Sequence, residues 1–296
     1  MSTSLVAITL IKDEGDIILA SLQNLYNFGI RLFAIMDNDS SDATLDQVHK
    51  FRRLHDDASV LIVQDFKQSY LQSMKVTALA QMAIDYFSAT HVYPFDADEF
   101  LQPVNNSALQ CPDLLAEMDN DAVSLRWRTC IVCDEGVVYQ CCNCSNYKKT
   151  LVRWSPELTI NSGNHSATLE YTDWRGRIKR KECEGKELSN YEVLHIPVRS
   201  ADQLRSKILN GAPANFVNRH AGIGIHWTAL HDLYLQNGET FFQDFFDLLL
   251  RGEESELAAY CAEQGVQRDN LCYFNDYFLP RHAANLTIAL GAELAR

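Results

Sequence analysis

The stretch THVYPFDADEFL, at residues 90–101, decides how the rest of the chain is interpreted. Its apolar run at 91–95 is typical of a buried strand, and it ends in the carboxylates Asp96, Asp98 and Glu99. Side chains two residues apart in an extended segment point the same way. The spacing therefore predicts that Asp96 and Asp98 direct their oxygens to one point beyond the strand. Glu99 is expected to point away from it and to orient a neighbour.

Two carboxylates that face one point favour a bound cation. Without one, they would repel each other and raise each other's pKa. Mg²⁺ and Mn²⁺ take oxygen ligands and keep positions open for substrate phosphates. The pair Asp96 and Asp98 therefore predicts a site for Mn²⁺ or Mg²⁺, and a solvated acidic turn is the alternative.

Three strand-and-helix units precede this stretch, because apolar runs alternate with segments of helical periodicity. They predict strands at 5–11, 31–36 and 59–63 and helices at 14–28, 43–54 and 70–87. Such alternation gives a parallel sheet with helices on both faces, and ligands bind at the carboxyl ends of its strands. The acidic loops at 13–14, 37–42 and 96–98 are expected to converge on one crevice.

The order of several motifs resembles a known family. ITLIKDEGDIILASLQNLYNFGI, LFAIMDNDSSDAT and FDADEFL are followed by KTLVR at 149–153, NSGNH at 161–165 and LHIPVRS at 194–200. This order is similar to bacterial family 2-type glycosyltransferases of the GT-A, or nucleotide-diphospho-sugar transferase, fold, over about residues 5–220. The resemblance implies an α/β fold with a mostly parallel central sheet flanked by helices, a smaller acceptor-side β region and C-terminal helices.

The resemblance also implies a domain division and an activity. It predicts a glycosyltransferase domain at 1–225, with a nucleotide-binding half at 1–103 and an acceptor-side half at 104–225, then a helical extension at 226–296. The implied reaction moves a sugar from a nucleotide-diphosphate sugar, with UDP-sugar favoured, to a glycan or lipid-linked acceptor, with inversion. The alternatives are a catalytically inactive nucleotide-binding scaffold and a sugar nucleotidyltransferase, although the loop IKDEGD at 11–16 is not the glycine-rich basic loop expected of the latter.

Several residues of the first half are implied to contact the nucleotide. Asp13 and Glu14 would border the base and ribose, although many relatives carry Asn-Glu there and an Asp cannot donate a hydrogen bond as Asn does. Asp37, at the end of the second predicted strand, would accept the N3 hydrogen of uracil. Lys75 would balance diphosphate charge, with a solvated helix lysine as the alternative. Asp96 would bind the ribose, or the metal through water.

Asp98 is the residue expected to contact the metal directly. An imidazole can complete an octahedral site that already has carboxylate and diphosphate oxygens. Histidines late in GT-A chains often do so, which makes His195 the predicted third metal ligand with Asp96 and Asp98, and His165 the next candidate. Single histidines more commonly serve packing or hydrogen bonding.

The acceptor-side half offers basic groups and a candidate base. Lys149 and Arg153 are four residues apart on a predicted strand, so they share a face and could grip phosphate. Inversion needs a carboxylate that takes the acceptor hydroxyl proton. Asp134, at a predicted hairpin tip, is put first for that role, with Glu135, Glu170 and Asp173 left open.

Two further features leave alternatives open. Trp127 and Trp154 offer faces to a sugar ring, or are packing residues. The basic run at 173–181, DWRGRIKRK, is a solvated loop or a lid over a diphosphate.

Nine cysteines include five close together in the middle of the chain. Cys130, Cys133, Cys141 and Cys144 could supply four thiolates to a structural Zn²⁺ if the segment between them is a hairpin. The surrounding pattern also fits paired strands in which reduced cysteine is a small apolar filler.

Composition limits the partners. With 26 Lys and Arg against 39 Asp and Glu, the net charge of −13 argues against broad binding of nucleic acid or of an anionic membrane through the whole surface, so no nucleic-acid partner is expected, whereas local basic patches stay open. No segment approaches 18 continuous apolar residues, and the first apolar run is too short for a signal peptide, so a cytoplasmic protein is expected. Peripheral association with a membrane stays open, since acceptors of such enzymes are often lipid-linked. The oligomeric state is not predicted.

Overall fold

The computed structural model describes residues 3–67, 71–104, 108–118, 121–133, 136–142, 144–183, 185–216 and 225–287. These residues form two compact units. The first contains residues 3–127 and Ser145–His195, and the second contains Arg128–Cys144 and residues 196–287. The boundary predicted at 225 therefore falls inside the second unit.

The elements of both units follow one another closely. In chain order they are β1 Leu5–Ile11, α1 Ile18–Asn27, β2 Leu32–Asp37, α2 Thr44–Leu54, β3 Ser59–Gln64, α3 Gln72–Phe87, β4 His91–Pro94, β5 Glu99–Pro103, α4 Cys111–Ala116, β6 Ala122–Val132, β7 Val137–Cys141, β8 Lys148–Arg153, β9 Leu158–Ile160, β10 Ala167–Thr172, β11 Ile178–Glu182, β12 Lys186–His195, α5 Ala201–Phe216, α6 Ile225–Asn237, α7 Thr240–Arg251, α8 Glu254–Gln264 and β13 Arg281–Thr287.

A parallel sheet section forms the base of the first unit. Its order is β3-β2-β1-β4, and all three pairings are parallel. The strands are apolar runs, and α1 to α3 connect them as the alternating pattern predicts. Gly29, with a φ of 101°, lies directly after α1 in a backbone conformation that glycine adopts without strain.

Antiparallel strands extend this section. β8 pairs with β4 and with the first part of β6, and β12 pairs with β5. The first unit is therefore a mixed sheet of the α/β class, in which β4 is the last parallel strand. Helices cover it, because α3 buries Val76, Leu79 and Ala83 against residues of the sheet.

A separate three-stranded antiparallel sheet also belongs to the first unit. Its order is β11-β10-β9, and β10 and β11 form a hairpin. All five residues of β11 are exposed. This hairpin contains the basic run identified in the sequence.

The second unit is built around an aromatic core. Its strands are the last part of β6, which pairs with β7, and β13, which pairs with β7 on the other side. Buried side chains from α5 to α8 pack with the 3₁₀ segment Arg268–Phe278, and Phe245 and Phe274 meet edge to face at 5.3 Å. Because α5 contributes Leu204 and Ile208 to this core, the unit begins well before residue 225.

The cysteines of the second unit do not form the zinc site that was one expectation. Across the described ranges, no three or more His, Cys, Asp or Glu side chains are grouped closely enough to hold a metal ion. Cys130 lies opposite Gln140, and Cys141 lies opposite Arg281, so strand register does not bring the thiols together. Both side chains are buried, as small apolar fillers are. Burial raises the pKa of the Cys141 thiol to about 12.

No helix within the described residues combines the length and the apolar character that a membrane span requires.

Candidate active site

The site lies where the strand order reverses. β1 is flanked by β2 and β4, so its carboxyl end lies at the switch point of the parallel section, where open α/β sheets bind ligands. The loops after β1 and β2 meet there and are hydrogen-bonded to each other. The amides of Asp13, Glu14 and Gly15 donate to Ser40 Oγ at 3.0 Å, Thr44 Oγ1 at 2.8 Å and Asp42 Oδ2 at 2.9 Å. The convergence of acidic loops expected from the sequence is thus present for these two.

Asp13 helps to build this loop pair. Its φ of 52° is left-handed, and its Oδ1 accepts the Ser41 amide at 2.7 Å. The carboxylate is therefore directed at the neighbouring loop. Glu14 begins the turn into α1, where its carbonyl accepts the amides of Ile17 and Ile18.

Asp37 has an unusual environment within the half that the sequence predicts to bind the nucleotide. It ends β2 and is 2% exposed. Its Oδ2 accepts the Ser40 amide at 3.3 Å, whereas Oδ1 is buried and has no hydrogen-bond partner among the described residues. A buried polar atom without a partner is costly and calls for an explanation. A ligand N–H at Oδ1 would satisfy it.

Lys75 is nearly buried, which departs from the solvated lysine given as an alternative. Its Nζ lies 2.8 Å from Asp65 Oδ2 and donates to Asn38 Oδ1 at 2.7 Å. The hydrogen bond from Lys75 holds the pKa of Asp65 below its usual value. The ammonium group of Lys75 therefore links α3 to the residues that follow β2 and β3.

A buried ion network lies behind Asp96. Lys149, fully buried, places Nζ 2.6 Å from Asp96 Oδ2, 2.7 Å from Glu99 Oε1 and 2.8 Å from the carbonyl of Gly163. Burial lowers the pKa of Lys149, but Asp96 and Glu99 outweigh it, so the pKa is raised above its usual value. One cation thus serves two carboxylates.

Glu99 is the functional residue that sequence reasoning undervalued. Its Oε2 accepts the Asp96 amide at 3.1 Å, and its Oε1 accepts the Trp127 indole N–H at 3.0 Å. Burial raises the pKa of Glu99 to about 8, against the opposing effect of Lys149. Glu99 therefore fixes the position of Asp96 through the backbone and shares Lys149 with it.

A tight turn holds the other side of Asp96. Asn164 donates from Nδ2 to Asp96 Oδ1 at 3.0 Å, and its own Oδ1 is buried without a partner among the described residues. Gly163 has a φ of 79°, and a Cβ there would lie 2.5 Å from His165 Cδ2. The NSGN segment is thus shaped to present Asn164 to Asp96, and Asn164 was not singled out from the sequence.

Asp98 and His195 are the two predicted metal ligands that the structure brings close together. Both are buried, and His195 Nε2 lies 3.5 Å from Asp98 Oδ1. His195 lies opposite Glu99 in the β12–β5 pairing, and its ring stacks on Trp127 at 4.2 Å. A carboxylate oxygen and an imidazole nitrogen at this separation can share one Mn²⁺ or Mg²⁺, and such ions usually complete their shell with substrate phosphates and water. These two residues could supply two ligands to the predicted metal. Asp96, the third predicted ligand, does not face the same point, because its two oxygens contact Lys149 and Asn164. Accordingly, the described residues contain no group of three or more such side chains close enough to hold a metal ion.

Aromatic rings extend outward from this pair. Tyr147 stacks on His165 at 5.0 Å, and Trp127 meets His165 edge to face at 5.3 Å. Tyr147 is 60% exposed, whereas Trp127 is buried. Burial, followed by Lys149, lowers the pKa of His165. Trp127 is thus a packing residue, and Tyr147 is the exposed ring of this group.

The structure does not bring the remaining candidates among the described residues to this site. Arg153 lies opposite His91, at the beginning of β4, whereas Lys149 reaches Asp96 beyond its end. The two basic side chains therefore do not form a joint phosphate grip. Glu170 pairs with Arg180, and Asp173 pairs with Arg177, both in the β10–β11 hairpin. Asp134 and Glu135 lie outside the described residues.

Comparison with known proteins gives weak structural likenesses. No family model matches the chain, and no curated protein matches it. The mannosyltransferase PcManGT from Pyrobaculum calidifontis, in complex with GDP-Man and Mn²⁺, is 21% identical at a TM-score of 0.34, over 42% of this chain and 36% of that one. HddC from Yersinia pseudotuberculosis is 9% identical at 0.31, over 66% and 77%. GalNAc-T7 with UDP, GalNAc and Mn²⁺ is 10% identical at 0.32, over 63% and 30%.

The chain thus spans about a third of the length of PcManGT and of GalNAc-T7. At these identities and TM-scores, the likenesses do not identify the function of this chain.

Proposed function

We propose that this protein is a metal-dependent glycosyltransferase that moves a sugar from a nucleotide-diphosphate sugar to a glycan or lipid-linked acceptor, with UDP-sugar as the favoured donor and inversion at the anomeric carbon. The observation that carries the proposal is the buried Asp98–His195 pair, with Nε2 and Oδ1 3.5 Å apart, just beyond β4. It lies next to the switch point of the sheet, where a diphosphate would bring the missing oxygen ligands.

Each residue of the site has a distinct task in this proposal. Asp37 Oδ1 accepts the N3 hydrogen of uracil, which gives the buried oxygen its partner. Asp98 and His195 hold the cation, which when bound neutralises charge on the leaving diphosphate. Lys149 and Asn164 hold the Asp96 carboxylate, so it is oriented before the donor binds.

The remaining roles rest on the sequence resemblance. Asp134 is the proposed base that takes the proton of the acceptor hydroxyl. Asp13 and Glu14 are the proposed border of the base and ribose pocket, and Lys75 the proposed balance for diphosphate charge. Asp96 is the proposed partner of the ribose, or of the metal through water.

Calorimetric titration tests the donor site. UDP, GDP and dTDP are titrated into the protein with and without Mn²⁺, and the series is repeated on Asp98→Asn and His195→Ala. We expect UDP binding that needs Mn²⁺ and is weakened at least about tenfold in both variants, since each removes a metal ligand. Exposed residues of the same types give the controls Asp56→Asn and His49→Ala, which should bind like the wild type. Absence of diphosphate binding in every condition would overturn the proposal.

Turnover separates an enzyme from an inactive scaffold. With a bound UDP-sugar identified, release of UDP is measured for the wild type and for Asp134→Asn. Loss of turnover with unchanged UDP affinity is expected if Asp134 is the base, because the base acts on the acceptor. UDP binding without turnover for any UDP-sugar would favour the scaffold instead.

A further inference from the structure

The β10–β11 hairpin carries a surface that the proposed donor site does not use. Five basic residues and one acidic residue lie in the segment 171–181, a local net charge of +4 in a chain with a net charge of −13. The exposed apolar side chains in the same segment are Tyr171, Trp174 and Ile178, and Trp174 is 84% exposed. We call this segment the hairpin tip.

The tip is an ordered turn. The Asp173 carboxylate accepts the amides of Arg175 and Arg177 at 2.8 and 2.9 Å, and the Arg177 side chain at 3.1 Å. These contacts, led by the Arg177 amide, hold the pKa of Asp173 below its usual value. Gly176 supplies the left-handed residue with a φ of 74°. The one acidic residue of the tip is therefore occupied in shaping the turn.

The basic and aromatic groups are arranged together. Arg175 lies over the Trp174 ring at 4.3 Å, and Tyr171 lies directly opposite Lys179. Lys181 points to the same face as Lys179, because the two are separated by one residue on a strand. Arg175, Lys179 and Lys181 form no ion pair within 4 Å with a described residue. One side of the hairpin thus offers cationic and aromatic groups together.

We propose that the hairpin tip docks on a membrane surface that contains anionic phospholipid. Amphipathic aromatic rings are favoured at the headgroup level, and basic residues gain from the negative surface potential of the lipid. A tryptophan at 84% exposure that projects from a five-residue turn can insert without any change in the fold. Because the rest of the chain is acidic, repulsion keeps other faces off such a surface, so charge complementarity selects the hairpin.

Cosedimentation with vesicles tests this directly and needs no nucleotide. Full-length protein is mixed with vesicles of phosphatidylcholine alone or of phosphatidylcholine and phosphatidylglycerol in equal parts. We expect binding to the anionic vesicles only, decreasing as salt is added. The double variant Lys179→Gln/Lys181→Gln should bind on the order of 30-fold more weakly, because it loses two charges near the surface. The matched control Arg52→Gln/Arg53→Gln removes two exposed charges from α2 and should bind like the wild type.

A second measurement tests the role of the Trp174 ring. Trp174→Ala should weaken binding, and the exposed Tyr86→Ala should not. A blue shift of tryptophan fluorescence on vesicle binding should be lost in Trp174→Phe. The proposal is overturned if the wild type does not sediment with anionic vesicles, or if the hairpin variants sediment as it does. It is also overturned if the hairpin variants bind vesicles as the wild type does and lose only their affinity for UDP, which is the result expected of a lid over the diphosphate. The same holds if the variants lose only their affinity for RNA. Vesicle binding and UDP binding are measured separately, so either proposal can fail alone.

Discussion

Lys149→Met should strongly destabilise the first unit. Lys149 is fully buried between Asp96 and Glu99, with Nζ–O distances of 2.6 and 2.7 Å. Removing one partner of a buried ion pair costs about 3–5 kcal/mol, because it leaves buried charge without compensation. That is a large part of the roughly 5–15 kcal/mol by which a domain is usually stable.

Glu99 gives this loss a pH dependence. Its pKa of about 8 in the folded protein lies above the ordinary value of 4.5, so the folded state binds its proton more tightly than the unfolded state does. The stability from this proton is complete below about pH 4.5 and is lost as pH rises through about 8. Without Lys149 the pKa of Glu99 rises further. The variant should therefore keep Glu99 protonated at both about pH 6 and about pH 8, whereas Glu99 of the wild type loses part of its proton near pH 8. Its stability should then fall more steeply with rising pH than that of the wild type, because its folded state holds the proton that the unfolded state releases.

Urea unfolding at about pH 6 and about pH 8 measures the effect. We expect Lys149→Met to lose about 3 kcal/mol or more at the higher pH and less at the lower one. Lys148→Met is the matched control, since Lys148 is 45% exposed in its pair with Glu187 and should cost under about 1 kcal/mol. Adding Glu99→Gln to Lys149→Met should restore part of the loss. Equal losses for the two lysine variants, or a deficit unchanged by pH, would refute the reasoning.

Two further predictions concern the donor site and its supporting turn. Asp37→Asn places an amide where the buried Oδ1 lacks a partner, so UDP affinity should fall roughly ten- to hundredfold in calorimetry while CDP gains, and Asp56→Asn should change neither. Gly163→Ala should lower the free energy of unfolding by more than Gly176→Ala in urea titrations. Both have a positive φ, but only at Gly163 would the new Cβ meet the His165 ring at 2.5 Å. Equal losses of unfolding free energy in the two variants would show that the His165 ring moves and relieves the clash.

Local patterns in the sequence predict most of the first unit. The apolar run at 5–11 coincides with β1, and the helix predicted at 43–54 is α2 at Thr44–Leu54. Periodicity works here because each element buries one continuous face. The helix predicted at 14–28 begins later, at Ile18, because Asp13 to Gly15 are hydrogen-bonded to the next loop.

The partners of the site residues depend on strand register, which the sequence does not encode locally. Lys149 and Arg153 both lie in β8, yet β8 runs antiparallel to β4, so Lys149 reaches Asp96 beyond the end of β4 and Arg153 lies at its beginning. Glu99 was expected to orient a neighbour, but its link to Trp127 arises from contacts far apart in the chain. The strand KKTLVR contains two adjacent lysines, and the sequence does not tell which of them is buried, so it contains no clear signal for the ion network that Lys149 forms.

The hydrogen bonds between the loops after β1 and β2 have a kinetic consequence. A Cβ on Gly15 would lie 2.9 Å from Asp42 Oδ2, so these two loops approach as closely as a glycine allows. A ligand that enters here meets loops that are already ordered, and little conformational entropy remains to be lost on binding. Nucleotide association should therefore follow a single fast phase limited by encounter, and widening the loops with Gly15→Ala should slow association by adding an ordering step.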